Sequence, residues 1–160
     1  MQAVGVRSEV FGDVAVIAHQ GAVVGLQWRE PAARLVAPDG NADTAAVLRE
    51  AASQMTAYFD KRLNRFDLPL SPRGTRFQQQ VYQALQDIPT GQTLTYGEMA
   101  AQLGNAAQAV GNACGSNPIA IIIPCHRVLG TNGAGGFSAP GGIEVKIALL
   151  RHENAWPYLL

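Results

Sequence analysis

The feature that most constrains the fold of this chain is a run of helix- and strand-breaking residues near its middle. Pro69 is followed by Ser-Pro-Arg-Gly at residues 71–74, and prolines and glycines spaced so closely end regular structure. The chain has 160 residues, enough for one medium domain or for a domain with a small companion. The break therefore predicts two parts, an N-terminal domain over residues 1–70 and a C-terminal domain over residues 71–160.

The N-terminal part has the pattern of a small sheet with a helix. Residues 14–18 and 23–28 are strand-like, and the short link between them predicts a hairpin. A helix is expected from Asp43 or Thr44 to about residue 65, and a short strand over 66–70. The helix prediction rests on apolar residues four positions apart: Val47, Ala51, Met55 and Phe59.

The C-terminal part is predicted to be mostly helical. Thr75 is the expected N-cap of a helix with Phe77, Val81, Leu85 and Ile88 on one face. Thr95 and Glu98 have the spacing of a capping box for a second helix, which should end at Gly104. Asn105 is the expected cap of a third. Two short helices joined by a tight, glycine-containing link predict a helix-turn-helix.

The remaining C-terminal segments complete the predicted fold class. The apolar run 119–123 predicts a buried extended segment, and residues 130–142, with six glycines, predict a loop. A last amphipathic helix is marked by Ile143, Ile147 and Leu150. The expected class is α/β (α+β), in which a small N-terminal antiparallel sheet with a helix precedes a mostly helical domain with a helix-turn-helix.

Composition excludes several classes of protein. The chain contains 12 Lys and Arg and 12 Asp and Glu, so its net charge is zero. A zero net charge argues against a protein that binds nucleic acid by strong electrostatic attraction. No apolar stretch approaches the roughly 20 residues that span a bilayer, and the N-terminus lacks the apolar core of a signal peptide. Two cysteines and three scattered histidines form no zinc pattern. We therefore expect reduced thiols, no metal and no membrane partner.

Cys125 is the residue whose surroundings point to chemistry. It follows Pro124 and precedes His126 and Arg127. A cysteine attacks as its thiolate, a neighbouring His or Arg lowers its pKa, and Cys with His is a known pairing of nucleophile and base. The residue type alone favours a buried structural cysteine, but the ionisable neighbours and the adjacent glycine-rich loop favour a reactive thiol. Cys114 lies among small residues and is expected to pack.

The residues around Cys125 resemble the active-site signature of the O6-alkylguanine-DNA alkyltransferases, the methylated-DNA–protein-cysteine methyltransferases. The signature reads Ile-Ile-Pro-Cys-His-Arg-Val at residues 122–128, within a similarity that covers residues 66–153. Residues 1–65 match only the general form of the family's supporting domain. Further similar segments are Gly-Thr-Arg-Phe-Gln-Gln at 74–79, Thr-Tyr-Gly-Glu at 95–98, Gly-Ser-Asn-Pro at 115–118 and Gly-Phe-Ser at 136–138.

The resemblance implies a single-turnover repair reaction. Cys125 would accept the alkyl group of O6-alkylguanine in DNA, with O4-alkylthymine as a second candidate, and the stable thioether would consume the protein. His126 would act as general base through a bound water, and Glu153 would orient it. Asn117 would tie the turn after the recognition helix to the active site. Tyr96 would help to flip the nucleotide and would hydrogen-bond the base at N3. No cofactor is implied.

The resemblance also implies the contacts to substrate and DNA. The backbone N–H of Ser138 would face O6, and the Val128 carbonyl would face the exocyclic amine. Small residues on the recognition helix would let its backbone approach the minor groove, with amides at its N-terminus contacting phosphate. The implied partner is double-stranded DNA with an alkylated guanine, and the implied protein is a cytoplasmic monomer. The residues assigned to substrate and DNA are Thr75, Ala107, Gln108, Gly111, Arg127, Val128 and Ser138.

Gln108 departs from the family's pattern, in which an arginine usually enters the minor groove and fills the gap left by the flipped base. Glutamine can fill the gap without the charge. No basic residue lies between Asn105 and Asn117, and residues 67–160 contain five basic and five acidic residues. Because DNA affinity comes largely from neutralised phosphates, the sequence predicts weak DNA binding with a shallow salt dependence.

Three other functions stay open on the sequence alone. One is a lesion-recognition module similar to the family's alkyltransferase-like branch, which recruits another repair pathway; that branch replaces the acceptor cysteine, so Cys125 argues against it. Another is a thiol hydrolase, which would need an oxyanion hole, and no G-x-S-x-G elbow occurs. The third is an alkylation sensor or a resistance protein that acts on free alkylated bases, an alternative motivated by Gln108 and by the absence of basic residues on the recognition helix.

Overall fold

The computed structural model of the chain describes residues 1–28, 41–131, 133–137 and 141–156. They belong to two compact units, Met1–Arg73 and Gly74–Leu160. The first unit contains a three-stranded antiparallel sheet and a long helix, and the second contains short helices with a two-stranded parallel pair. The predicted α/β class is confirmed. None of the described helices is long and apolar enough to cross a membrane.

The sheet of the first unit is a meander of strands β1 (Gln2–Val6), β2 (Val14–His19) and β3 (Ala22–Trp28). The predicted hairpin joins β2 and β3. Its turn residues Gln20 and Gly21 have φ angles of 49° and 79°, and such a left-handed pair matches the twist of the strands it connects. Strand β1 had no counterpart among the sequence predictions.

Helix α1 (Ala42–Phe59) packs on this sheet, and its limits differ from those predicted. Asn41 is the N-cap, because its Oδ1 accepts hydrogen bonds from the backbone N–H groups of Asp43 and Thr44. Thr44 is instead buried, and its Oγ1 accepts from the N–H of Gly21. The helix ends before Lys61, whose φ of 61° cannot continue it.

The predicted strand over 66–70 is wrong except at its end. Only Leu70 forms a bridge, parallel to Val23, whose N–H donates to the Pro69 carbonyl and whose carbonyl accepts from the Ser71 N–H. Proline lacks a backbone donor, so the segment around Pro69 cannot extend this ladder.

The second unit begins with α2 (Arg76–Gln86) and continues with the helix-turn-helix predicted from the sequence, α3 (Tyr96–Leu103) and α4 (Ala107–Gly115). Thr75 and Thr95 form the capping boxes of α2 and α3 with Gln78 and Glu98. Its other elements are β4 (Leu94–Thr95), a 3₁₀ turn (Cys125–Arg127), β5 (Val128–Leu129) and α5 (Ile143–His152).

The predicted cap of α4 is wrong. Ala106 occupies the N-cap position and makes no side-chain hydrogen bond there, while the Oδ1 of Asn105 accepts from the adjacent Ala106 N–H. The first-turn amides of α4 therefore lack a side-chain cap, which leaves a partial positive charge at this helix end.

Two further expectations are corrected in this unit. The run 119–123 is buried as predicted, but it is a turn rather than an extended segment, since the Ile123 N–H donates to the Ile119 carbonyl. On α5, Ile143 is 47% exposed, and the inward face carries Lys146 with Leu149 and Leu150. The lysine breaks the apolar pattern of the buried face of α5.

Candidate active site

The turn before Cys125 is held by Asn117. Its Nδ2 donates to the Ile123 carbonyl at 2.8 Å, and its Oδ1 accepts from the Ile119 N–H at 3.0 Å. Between them Ile121 has a φ of 72°, a left-handed conformation that is unfavourable for a β-branched residue. Asn117 thus holds both ends of a strained turn that delivers the chain to Cys125.

Cys125 lies in the wall of a pocket of about 380 Å³ in the second unit. Burial raises the pKa of the Cys125 thiol, while hydrogen bonding from Asn117 and the positive charge of Lys146 lower it. The thiol is free, so it is available for chemistry. The residues that line the pocket are Tyr96, Gly111, Cys114, Gly115, Cys125, Gly136 and Phe137.

His126 is completely buried next to Cys125 and is held by Glu153. The His126 Nε2 lies 2.7 Å from the Glu153 Oε2, and the other ring nitrogen, Nδ1, is buried without a hydrogen-bond partner among the described residues. Burial holds the pKa of His126 below its ordinary 6.5. A neutral ring that donates Nε2–H to the carboxylate keeps a lone pair on Nδ1, which can accept a proton.

Arg127 also binds Glu153, with hydrogen bonds of 2.8 Å from Nε and 3.1 Å from Nη2 to the two carboxylate oxygens. Burial alone would raise the pKa of Glu153, but the hydrogen bonds from His126 and Arg127 and the charge of Arg127 hold it well below its ordinary range. The carboxylate is therefore ionised, and it anchors both His126 and Arg127.

The placement of Arg127 corrects one predicted role. The sequence groups it with the substrate- and DNA-binding residues, but its guanidinium is buried and also donates to the Ile88 carbonyl and the Thr90 hydroxyl. These bonds direct the guanidinium into the unit rather than toward a phosphate. Arg127 is a supporting residue for Glu153.

Lys146 is part of the site but was absent from the predicted catalytic and binding residues. Its ammonium is completely buried and donates to the Val128 carbonyl at 2.7 Å, the Gly136 carbonyl at 3.1 Å and the Tyr96 hydroxyl at 3.2 Å. Burial lowers the pKa of Lys146 to about 8. A lysine at an inward position of an amphipathic helix is the sequence signal that could have found it.

Tyr96, the first residue of α3, lines the pocket. Burial raises the pKa of the phenol to about 12, so its O–H keeps its proton. The loop approaches the ring so closely that a Cβ on Gly135 would come within 2.8 Å of the Tyr96 Cε2, and Gly135 has a φ of 77°. Only glycine fits there without displacing the ring.

Comparison with known proteins places this site in a family. The family described as 6-O-methylguanine DNA methyltransferase, DNA binding domain, matches residues 76–155. The methylated-DNA–protein-cysteine methyltransferase of Mycobacterium tuberculosis is 44% identical over 152 residues, which cover 91% of this chain and 88% of that protein. The enzyme of the same name from Methanosarcina acetivorans is 46% identical over 125 residues, 76% of this chain and 79% of the relative.

This chain belongs to the 6-O-methylguanine DNA methyltransferase family. The resemblance seen in the sequence is thereby confirmed. The fold agrees as well: a crystal structure of the M. tuberculosis OGT protein in complex with DNA aligns with a TM-score of 0.80 at 39% identity, covering 97% of this chain and 94% of that one.

The family's expected DNA-contacting residues are distributed over two helices. Ala107 and Gln108 lie exposed in the first turn of α4, and Gly111 on the same helix lines the pocket. Thr75 is an exposed cap of α2. Ser138 lies outside the described residues.

The expected reacting groups fall into two layers. Cys125 and Tyr96 line the pocket itself. Asn117, His126 and Glu153 do not line it: Asn117 binds the backbone of the turn that precedes Cys125, and His126 binds Glu153. The Val128 carbonyl already accepts from Lys146, and a carbonyl oxygen can accept a second hydrogen bond. Among the described residues, no three His, Cys, Asp or Glu side chains come together to hold a metal.

Proposed function

We propose that this chain is a DNA-repair methyltransferase that moves the alkyl group of O6-alkylguanine in DNA irreversibly to Cys125. The observation that carries the proposal is the position of Cys125 in a pocket wall directly beside the buried His126–Glu153 pair. A thioether has no leaving group that hydrolysis can use, so each molecule reacts once.

The buried groups supply a route for the proton of the Cys125 thiol. Because burial raises the pKa of this thiol, it is protonated before the substrate binds and needs a base. His126 is neutral, and its Nδ1 is the ring nitrogen that Glu153 does not occupy. Proton transfer to His126, directly or through water, would form an imidazolium facing an ionised Glu153, which stabilises it.

Tyr96, which lines the same pocket as Cys125, supplies a donor for the departing guanine. Lys146 donates to the Tyr96 oxygen, so the phenol hydrogen is free to point away from the ammonium. A donor at the base nitrogens stabilises the negative charge that develops on guanine as the carbon–oxygen bond breaks. Because Cys125 is buried in the wall of the pocket, the target nucleotide must leave the base stack to reach it.

DNA binding belongs to the family's domain, and its strength here should be modest. Three charged residues of the second unit are buried: Arg127, Lys146 and Glu153. The exposed ones are two cations and three anions, namely Arg76, Arg151, Asp87, Glu98 and Glu144. With so few cations to neutralise phosphates, binding rests on the α4 backbone and on pocket contacts. We further propose that the protein acts as a monomer in the cytoplasm, where an acceptor thiol stays reduced.

Intact mass spectrometry tests the proposal. The protein is incubated with a duplex carrying one O6-methylguanine, and with the matched unmodified duplex. We expect a gain of one methylene, limited to one per molecule, and complete loss of that gain in Cys125→Ser.

A second candidate, recognition of the lesion without transfer, is separated by the same experiment. Binding of the methylated duplex without any mass gain would contradict alkyl transfer and favour that function. A mass gain that persists in Cys125→Ser would contradict the assignment of Cys125.

A further inference from the structure

The pocket contains a second thiol that the proposed reaction does not use. Cys114, on α4, and Cys125, in the 3₁₀ turn, both line it, and both are free. They are the two cysteines of the chain. A cysteine that only packs does not need to line the cavity in which the alkyl group is transferred. The position of Cys114 in the same pocket as Cys125 therefore indicates a chemical role.

The walls beside Cys114 leave room for an alkyl chain. Two of the lining residues, Gly115 and Gly136, have no side chain, and a Cβ built on either would meet no atom within 4 Å. Phe137 and the ring of Tyr96 provide apolar surface for methylene groups. An alkyl group longer than methyl, once attached to Cys125, therefore has space in the pocket that Cys114 also lines.

We propose that the Cys114–Cys125 pair disarms bifunctional alkyl lesions, in which the O6-alkyl group carries a leaving group such as a halide at its far end. This inference rests on the proposed function, because Cys125 must first take the alkyl group. Transfer alone would leave an electrophile on the protein next to DNA. Capture by Cys114 would close it into a bridge between the two sulfurs.

The two steps balance without any further reagent. In the first, the Cys125 Sγ bonds to the near carbon, the carbon–O6 bond breaks, and guanine leaves and is protonated. In the second, the Cys114 Sγ bonds to the far carbon, the carbon–halogen bond breaks, halide leaves with the electron pair, and the Cys114 proton passes to solvent. Groups held together in one pocket react with effective concentrations of roughly 10⁵ M or more when well oriented, which lets a thiol compete with water.

The electrostatics of the pocket order these steps. The pKa of Cys114 is raised to about 12, mainly by burial and also by the nearby Cys125, while Lys146 acts in the opposite direction. Cys114 is therefore protonated while Cys125 is the nucleophile. Once Cys125 is a thioether it can no longer ionise, so no negative charge can form there to oppose ionisation of Cys114, whereas Lys146 still favours it.

Intact mass and thiol counting test the bridge. The full-length protein is reacted with a duplex carrying one O6-(4-bromobutyl)guanine, then denatured and treated with N-ethylmaleimide. We expect a four-carbon gain with bromine lost and no maleimide added, since both thiols are consumed. The monofunctional control, O6-butylguanine, should leave one thiol that reacts with maleimide, and Cys114→Ser should give an unbridged Cys125 adduct.

Other products would overturn the inference. A Cys125 adduct that keeps bromine, gains a hydroxyl or closes on its own sulfur as a cyclic sulfonium, with one thiol still titratable, would show that Cys114 does not capture the chain. A protein–DNA cross-link as the main product would show the same. Methyl transfer without any reaction of the bromobutyl lesion would show that the pocket rejects such groups.

Failure of the proposed function would look different, because O6-methylguanine would then also give no mass gain. In that case dibromobimane, which links two nearby thiols directly, tests the pair without DNA. Absence of a dibromobimane bridge in the folded protein would overturn the juxtaposition itself.

Discussion

The two units bury different kinds of polar side chain. In the first, the buried polar residues are neutral and bind the backbone: Gln54 exchanges two hydrogen bonds with the backbone of Asp67, and Thr44 accepts from Gly21. In the second, the buried residues are ionisable: His126, Arg127, Lys146 and Glu153. Neutral buried groups join segments at low electrostatic cost, whereas buried charges lose their hydration and need partners.

This difference teaches where function lies in the chain. The first unit, of similar size, forms its core without a single buried charge among its described residues, so a core of this size does not in itself need one. Among these buried ionisable residues, His126 is adjacent to Cys125 in the chain and pairs with Glu153, and Lys146 binds Tyr96. Their position next to the pocket supports a role in the reaction. Matched substitutions in the two units test this contrast.

Glu153→Gln should be the most destabilising of these changes. It removes the negative charge between His126 and Arg127, whose guanidinium would remain buried without a counterion, and such losses cost about 3–5 kcal/mol. The free energy of unfolding from urea denaturation measures the effect. The matched control is Asp60→Asn, which removes the exposed pair with Arg62 and should change stability by less than about 0.5 kcal/mol. Equal effects at the two sites would contradict the contrast between the units.

Lys146→Met should slow alkyl transfer by about 10–100-fold, because the hydrogen bonds of a charged donor to Tyr96 and to the Val128 and Gly136 carbonyls are lost. The single-turnover rate at saturating methylated duplex measures it. Arg151→Met, on the exposed face of the same helix, is the control and should change the rate by less than about twofold. A normal rate in Lys146→Met would show that Lys146 only fills space.

Acid should weaken the second unit through His126 and Glu153. The pKa of His126 is held below 6.5 and that of Glu153 below 4.5, so as pH falls through these values the unfolded chain binds protons before the folded one does. The free energy of unfolding should therefore decrease with falling pH, by up to about 1.4 kcal/mol per pH unit for each group. In Glu153→Gln the decrease below about pH 4.5 should be shallower. An unchanged slope in that variant would rule out Glu153 as the titrating group.

Gln108→Arg should have the smallest effect, because it adds a charge on the exposed face of α4 and leaves the interior alone. DNA affinity should rise, and the slope of log affinity against log salt should steepen by about 1. Gln27→Arg, exposed on β3 of the first unit, is the control. A slope that stays the same in Gln108→Arg would mean that residue 108 does not approach DNA.

Local structure was largely predictable from the sequence. The two capping boxes depend on residues three positions apart, and the β2–β3 hairpin depends on a short link between strand-like runs. The chemistry of Cys125 was visible in its immediate neighbours, His126 and Arg127. The errors were also local, where a competing side chain such as Asn41 took the cap or where a turn replaced an extended run.

The sequence by itself determined the family and the helix-turn-helix and singled out Cys125 as the candidate acceptor, because each depends on residues close together in the chain. Only the tertiary structure decided what surrounds the thiol. Lys146 reaches Tyr96 across 50 positions, and Arg127 reaches Glu153 across 26. Whether a charged side chain is buried depends on packing between distant segments, which no local spacing records. The same packing directs Arg127 inward and places Cys114 in the wall that contains Cys125.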